Sequence, residues 1–133
     1  MKKKSVVIAG SAKIQDEIEK WLEYFKNNNY ELLDWPKNID ANEFMQIYPQ
    51  VFKEFFESIQ RADMFFLLNE DKNGITGYIG AESFAELVFA VTQKILYGKQ
   101  LEVVIRKMPD KRVACFDEVD MWIKLGYVKI FNT

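Results

Sequence analysis

Apolar residues fall along the chain in two textures. Short unbroken runs, rich in β-branched or aromatic residues, alternate with longer stretches in which an apolar residue recurs every three or four positions. The runs at residues 5–10, 30–33, 63–69 and 101–105 have strand character; the first is a β-branched run ending in Gly10 that suits a strand buried on both faces, and the third is the clearest central strand. Between them, Ile14, Ile18, Trp21, Leu22 and Phe25 form one stripe of a helix over about residues 12–28. Residues 40–61 are helical in pattern, with Phe52, Phe55, Phe56 and Ile59 expected to face the core. Pro49 inside that stretch predicts a kink, a break, or two separate helices. A third helix spans about residues 81–97, striped by Phe84, Leu87, Val88, Val91 and Ile95 and stopped by Gly98. A turn at Pro109-Asp110, a short helix over residues 117–124 and a closing strand over residues 127–131 complete the pattern.

Strands alternating with helices of this length predict right-handed βαβ units, hence an α/β fold with a parallel sheet of about five strands and helices on both faces. No repeat, low-complexity tract or linker interrupts the chain, so all 133 residues are expected in one domain.

Composition narrows the chemistry. The net charge of −2 gives no broad basic field, which argues against a nucleic-acid partner. The basic cluster Lys2–Lys4 is expected to be a solvated N-terminus. Lys94 and Lys99 bracket the end of the third helix, where cations suit the helix dipole, and neither is assigned a function. The apolar stretch at residues 6–9 is too short for a secretory signal core, and no stretch approaches membrane-spanning length, so a cytoplasmic location without membrane contact is expected. The chain has no histidine and a single cysteine, Cys115. Within one chain this rules out a Ser-His-Asp triad, a Cys-His pair, a His-ligated zinc site and a disulfide framework. Cys115, between apolar neighbours, is expected to be a small core residue. Catalysis is left to carboxylates, Tyr, Ser, Lys or the lone Cys, with no metal or cofactor expected.

In an open parallel sheet, ligands bind beyond the carboxyl ends of the strands. That rule nominates Gly10 and Ser11 after the first strand, Asp34 and Trp35 after the second, Asn69, Glu70 and Asp71 after the third, and the segment from Gly74 to Glu86, which includes Gly77, Gly80 and Ser83. A glycine at Gly10 allows close approach of a ligand to backbone, though Ser11 as a plain N-cap explains the pair equally well. Trp35 can stack on a flat ligand or simply pack under the Pro36 turn. Neither G-x-G-x-x-G nor a Walker sequence occurs. Glu86 lies nearly opposite the apolar stripe of its helix at about 100° per residue, so periodicity alone places it, with Glu82, towards solvent. Phe89 on the same face suggests a second surface there.

Several short pieces together resemble the nucleoside 2-deoxyribosyltransferase-like family. They are Ala62-Asp63 leading into the third strand, the Gly77-Tyr78-Ile79-Gly80 loop, Glu86-Leu87-Val88-Phe89-Ala90, Gly98-Lys99, and the opening Val7-Ile8-Ala9-Gly10-Ser11. The order of elements agrees from about residue 5 to residue 105. Val88 and Phe89 stand where the family usually has Gly and Tyr, and the loop over residues 73–83 is longer. The resemblance implies a three-layer, flavodoxin-like sheet, a homo-oligomer, and chemistry at the N-glycosidic bond of a (deoxy)nucleoside or nucleotide. It implies Glu86 as nucleophile, a structural or orienting Asp63 counted with the substrate site, and a pocket including Asn69 and Asp71. A second acid such as Asp71 or Asp34 would protonate the leaving base, and Ser11 and Ser83 would meet a 5′-phosphate if one is present.

Two other readings compete. The same fold can be a non-catalytic nucleotide-binding or sensing module. Alternatively, an aromatic surface around Tyr48, Phe89 and Trp122 can dock a partner.

Overall fold

In a computed structural model, which describes residues 2–132, five strands form one all-parallel sheet. The strands are β1 (Lys4–Ala9), β2 (Tyr30–Asp34), β3 (Met64–Leu67), β4 (Glu102–Ile105) and β5 (Lys129–Ile130); the helices are α1 (Gln15–Asn27), α2 (Phe44–Arg61), α3 (Ala81–Ile95) and α4 (Phe116–Lys124). The spatial order is β2-β1-β3-β4-β5, the flavodoxin-like order, which reverses direction between β1 and β3. Registers pair Val6 with Met64 and Ala9 with Leu67 across that point.

Alternation along the strands builds two cores. Val6 and Ile8 of β1 and Met64, Phe66 and Leu68 of the β3 segment pack with Ile18 and Phe25 of α1. Val7, Ala9, Phe65 and Leu67 face the other way, onto Phe55 and Ile59 of α2, Leu87, Ala90 and Val91 of α3, and Val119 of α4. The result is three layers, with α1 on one face and α2, α3 and α4 on the other. Cys115 is buried in the second core.

Three local expectations change. Helix α1 begins at Gln15, with Ile14 at its N-cap, so Ser11 lies a turn upstream of it. Pro49 does not break α2, which runs through it; the irregularity falls upstream, in a 3-10 turn at Ala41–Glu43. Residues around Pro49 are exposed, where water can satisfy the carbonyl that loses its partner. On α2, Phe55 and Ile59 are buried as expected, but Phe52 is 45% exposed.

Helix α3 departs most from its pattern. Its buried residues are Glu86, Leu87, Ala90, Val91 and Gln93, while Val88 and Ile95 of the apolar stripe are exposed. The buried arc is turned by about one residue's step, ~100°, from the most apolar arc. The cause is lateral packing: α3 meets α2 as well as the sheet, and Phe56 sets its ring edge-on to Phe89 at 4.8 Å. That contact pulls the Glu86 side of α3 inward.

Candidate functional site

Beyond the carboxyl ends of β1 and β3 the chain leaves towards opposite faces of the sheet, to α1 on one side and α3 on the other, which opens room above the two strand ends. Gly10, directly after β1, has φ +150, and a Cβ there would lie 3.0 Å from the Leu68 carbonyl oxygen. The Leu68 N–H donates to the Ala9 carbonyl at 2.8 Å, so the two strand ends stay pressed together where a side chain would separate them. Above this floor opens a cavity of about 730 Å³, walled on one side by Phe44, Tyr48, Phe52 and Phe55 of α2 and on another by the start of α3. The aromatic wall follows the i, i+4 spacing of α2: Phe44 stacks on Tyr48 at 5.0 Å, and Tyr48 meets Phe52 at 5.6 Å.

Glu86 lines this cavity and is only 9% exposed. Its expected solvent-facing position is therefore wrong, for the packing reason given above. Burial, and then the negative charges of Glu82 and Asp34, push its carboxyl from the ordinary 4.5 up to about 8. The free protein thus holds Glu86 mostly protonated at neutral pH. Any positive charge brought beside it favours the carboxylate. The Tyr48 phenol is also raised, by burial and then by the charges of Glu82 and Glu86. Sequence reasoning placed Tyr48 only on a docking surface; the repeat Phe44, Tyr48, Phe52, Phe56 was the available signal that α2 carries a second, aromatic stripe.

The remaining expected residues divide. Gly10, Ser11, Asn69, Asp71, Gly80 and Ser83 line the cavity with Glu86. Gly80 caps α3 in extended backbone, and its carbonyl accepts from the Phe84 N–H at 2.9 Å. Asn69 is a strut. Its amide donates to the Gly77 and Lys107 carbonyls, and its oxygen accepts from the Arg106 and Lys107 N–H groups, all at 2.8–3.1 Å. One buried side chain so ties the ends of β3 and β4 to the loop before α3.

Asp71 holds that loop from the other side. Its carboxylate accepts from the Gly77 N–H and from the Lys107 ammonium, each at 3.0 Å. Those bonds hold it below the usual carboxylate range. An acid kept ionised has no proton to give at neutral pH, so the donor role expected of Asp71 does not fit this arrangement. Gly77 lies off the cavity, at φ +63 and packed against Met108 and Pro109.

Asp34 lies behind the cavity wall. It is buried, accepting from the Trp35 N–H at 2.8 Å and the Lys37 ammonium at 2.9 Å. Trp35 does not line the cavity; it packs against the α1-side core, with the Lys37 ammonium 4.6 Å from its ring. Asp63 belongs to the opposite end of the sheet. Its carboxylate accepts from the Ser5 N–H at 2.8 Å and the Ser5 hydroxyl at 3.2 Å, tying β3 to β1 at their amino ends. A residue that precedes a strand cannot reach a site beyond that strand's carboxyl end, so Asp63 leaves the substrate site.

Lys13, Lys37 and Lys72 also line the cavity, opposite Glu70, Asp71, Glu82 and Glu86. The site is thus mixed in charge, with Lys13 beside the Gly10-Ser11 turn, Glu82 and Glu86 on α3, and Lys72 next to the acids that follow β3. The surface grouping of Tyr48, Phe89 and Trp122 does not form. Phe89 packs on Phe56, and Trp122 stacks on Phe84 at 5.8 Å. Among the described residues no three His, Cys, Asp or Glu side chains are grouped to hold a metal ion, and no helix is long and apolar enough to cross a membrane. Compared with known protein families the chain matches none, and a search among curated proteins finds no match.

Proposed function

We propose that the protein cleaves or transfers at the N-glycosidic bond of a nucleoside or nucleotide, with Glu86 as the carboxylate at the reacting carbon. The observation that carries this reading is a buried glutamate on the wall of an aromatic-sided cavity at the β1/β3 switch point. A base fits against the rings of Phe44 and Tyr48. The sugar then lies towards α3, and Lys13 beside Ser11 offers a cation to a phosphate. As the bond to the base lengthens, the sugar becomes oxocarbenium-like. In its ionised form, which gains population as pH approaches 8, the Glu86 carboxylate stabilises or traps that cation, while the base leaves with the electron pair of the broken bond and takes a proton from solvent. The resemblance to the nucleoside 2-deoxyribosyltransferase-like family points the same way. It extends to a cytoplasmic homo-oligomer, for which exposed Phe44, Ile47, Phe52 and Val88 offer apolar area.

One observation favours the second reading, a nucleotide-binding module without turnover. Glu86 is protonated at rest and Asp71 is held ionised, so the expected proton donor is missing. Base release, followed by chromatography over a panel of nucleosides and nucleoside monophosphates from about pH 6 to about pH 9, separates the two. The enzyme reading expects release that Glu86→Gln abolishes, with kcat/KM rising as pH approaches 8. Saturable binding with no release from any panel member would leave the binding module.

A further inference from the structure

The opposite edge of the sheet carries a feature independent of Glu86. At the amino ends of β1, β3 and β4 lies a depression of about 750 Å³, lined by Lys2, Lys3, Lys4, Lys94 and Lys99, with Tyr127 in its wall. The lysines come from two chain segments about ninety residues apart, and each has an ordinary explanation on its own. Lys94 suits the C-terminal end of α3, and Lys2–Lys4 lead into β1. Together they are less ordinary. Among the described residues none of the five forms an ion pair. The Lys99 ammonium donates to the Gln60 carbonyl, which brings no negative charge. Lys94 is half-buried, with its stem held against the protein and no acid paired with it among the described residues.

The depression contains two acids, Asp63 and Glu102. Asp63 is occupied by Ser5, and Glu102 reaches no lysine. Five lysines and two acids therefore line one concavity of a chain whose net charge is −2, with the Lys99 ammonium turned to the Gln60 carbonyl. Like charges in a cleft repel one another and raise the local concentration of anions.

We propose that this depression is a second binding site, for a compact, multiply charged phosphate compound such as a polyphosphate or a phosphate ester. Lysine ammonium groups act as point charges on phosphate oxygens, and the lysines that line this hollow match several negative charges held close together. The shape and the charge outside it argue against larger partners. A nucleic acid needs a basic stripe that tracks its backbone, and the rest of this chain is net negative, as it would also be towards an anionic membrane.

Isothermal titration with inorganic tripolyphosphate and with inorganic phosphate, at matched ionic strength, tests the site. The expected result is one saturable site that binds tripolyphosphate more tightly than phosphate. Lys94→Gln/Lys99→Gln weakens it, each lost charged contact costing roughly tenfold in affinity. Lys3→Gln/Lys4→Gln, in an exposed stretch where folding is not at stake, weakens it as well, and Glu86→Gln leaves it unchanged. Melting curves without ligand confirm that each variant is folded. Absence of saturable binding, or affinity indifferent to the lysine variants, overturns the proposal. Loss of binding in Lys13→Gln/Lys37→Gln, with the variants at Lys94 and Lys99 unaffected, overturns it too, by placing the anion in the other cavity. Lysine-dependent co-sedimentation with phosphatidylserine–phosphatidylcholine vesicles, without tripolyphosphate binding, overturns it in favour of a membrane surface.

Discussion

Replacing Glu86 by Gln is expected to stabilise the protein above neutral pH while leaving it nearly unchanged in acid. In the folded chain the Glu86 carboxyl is pushed up to about 8 from an ordinary 4.5, first by burial and then by Glu82 and Asp34. Unfolding returns it to water and to the ordinary value. Between those two pH values the folded state holds a proton that the unfolded state has released. Stability therefore falls as pH rises through the window, at about 1.4 kcal/mol per pH unit. Below 4.5 both states are protonated and there is no penalty; above about 8 the penalty is complete, on the order of 5 kcal/mol. Glutamine has nearly the same shape and no charge to lose, so its curve lacks this decline. For a domain of this size the gap at high pH corresponds to a Tm difference on the order of 15 °C. Calorimetric melts of both proteins from about pH 5 to about pH 9, at matched ionic strength, read it directly. Parallel Tm–pH curves would refute the reasoning, because they would mean that Glu86 titrates as a solvated carboxylate. A variant less stable than wild type at high pH would refute it too, by requiring a buried counter-charge that the structure does not contain.

Two further substitutions test the frame of the site. Asn69→Ala removes four hydrogen bonds from a buried position and strands backbone groups of Gly77, Arg106 and Lys107. It should cost about 3 kcal/mol in urea denaturation, and a loss below about 1 kcal/mol would show that water replaces the strut. Gly74 and Gly77 both have positive φ, but a Cβ at Gly74 meets nothing within 4 Å, whereas one at Gly77 would lie 2.9 Å from the Met108 carbonyl oxygen. Gly74→Ala should cost about 1 kcal/mol for backbone strain alone. Gly77→Ala should cost clearly more, and equal losses would show that the loop gives way.

Fold class was legible in the sequence because the evidence for it is local. Unbroken runs such as residues 5–10 and 63–69 are what strands covered on both faces require. The helices between them are long enough for crossovers, and crossover handedness is nearly invariant, so a parallel sheet follows from order alone. The rule that ligands bind beyond the carboxyl ends of parallel strands pointed to the region of the cavity at the ends of β1 and β3. Sequence also nominated Glu86, at the end of the segment that the strand-end rule picked out and, for its role, through a resemblance; its helical phase pointed the other way.

What tertiary structure decided is which face of a helix becomes interior. The apolar stripe of α3 gives the average preference of one helix for one partner. With both the sheet and α2 to satisfy, α3 settled about one residue's rotation away, and Glu86 went inside. Asp63 moved from the site to the far edge for a reason that chain order already held, since it precedes β3, whereas the burial of Glu86 was hidden from the sequence. The meeting of Lys2–Lys4 with Lys94 and Lys99 was equally hidden, since the two segments become neighbours only once β1, β3 and β4 lie side by side. Periodicity reports how a segment would bury its own apolar area, whereas a site is made where segments compete for burial, and only the assembled fold settles that competition.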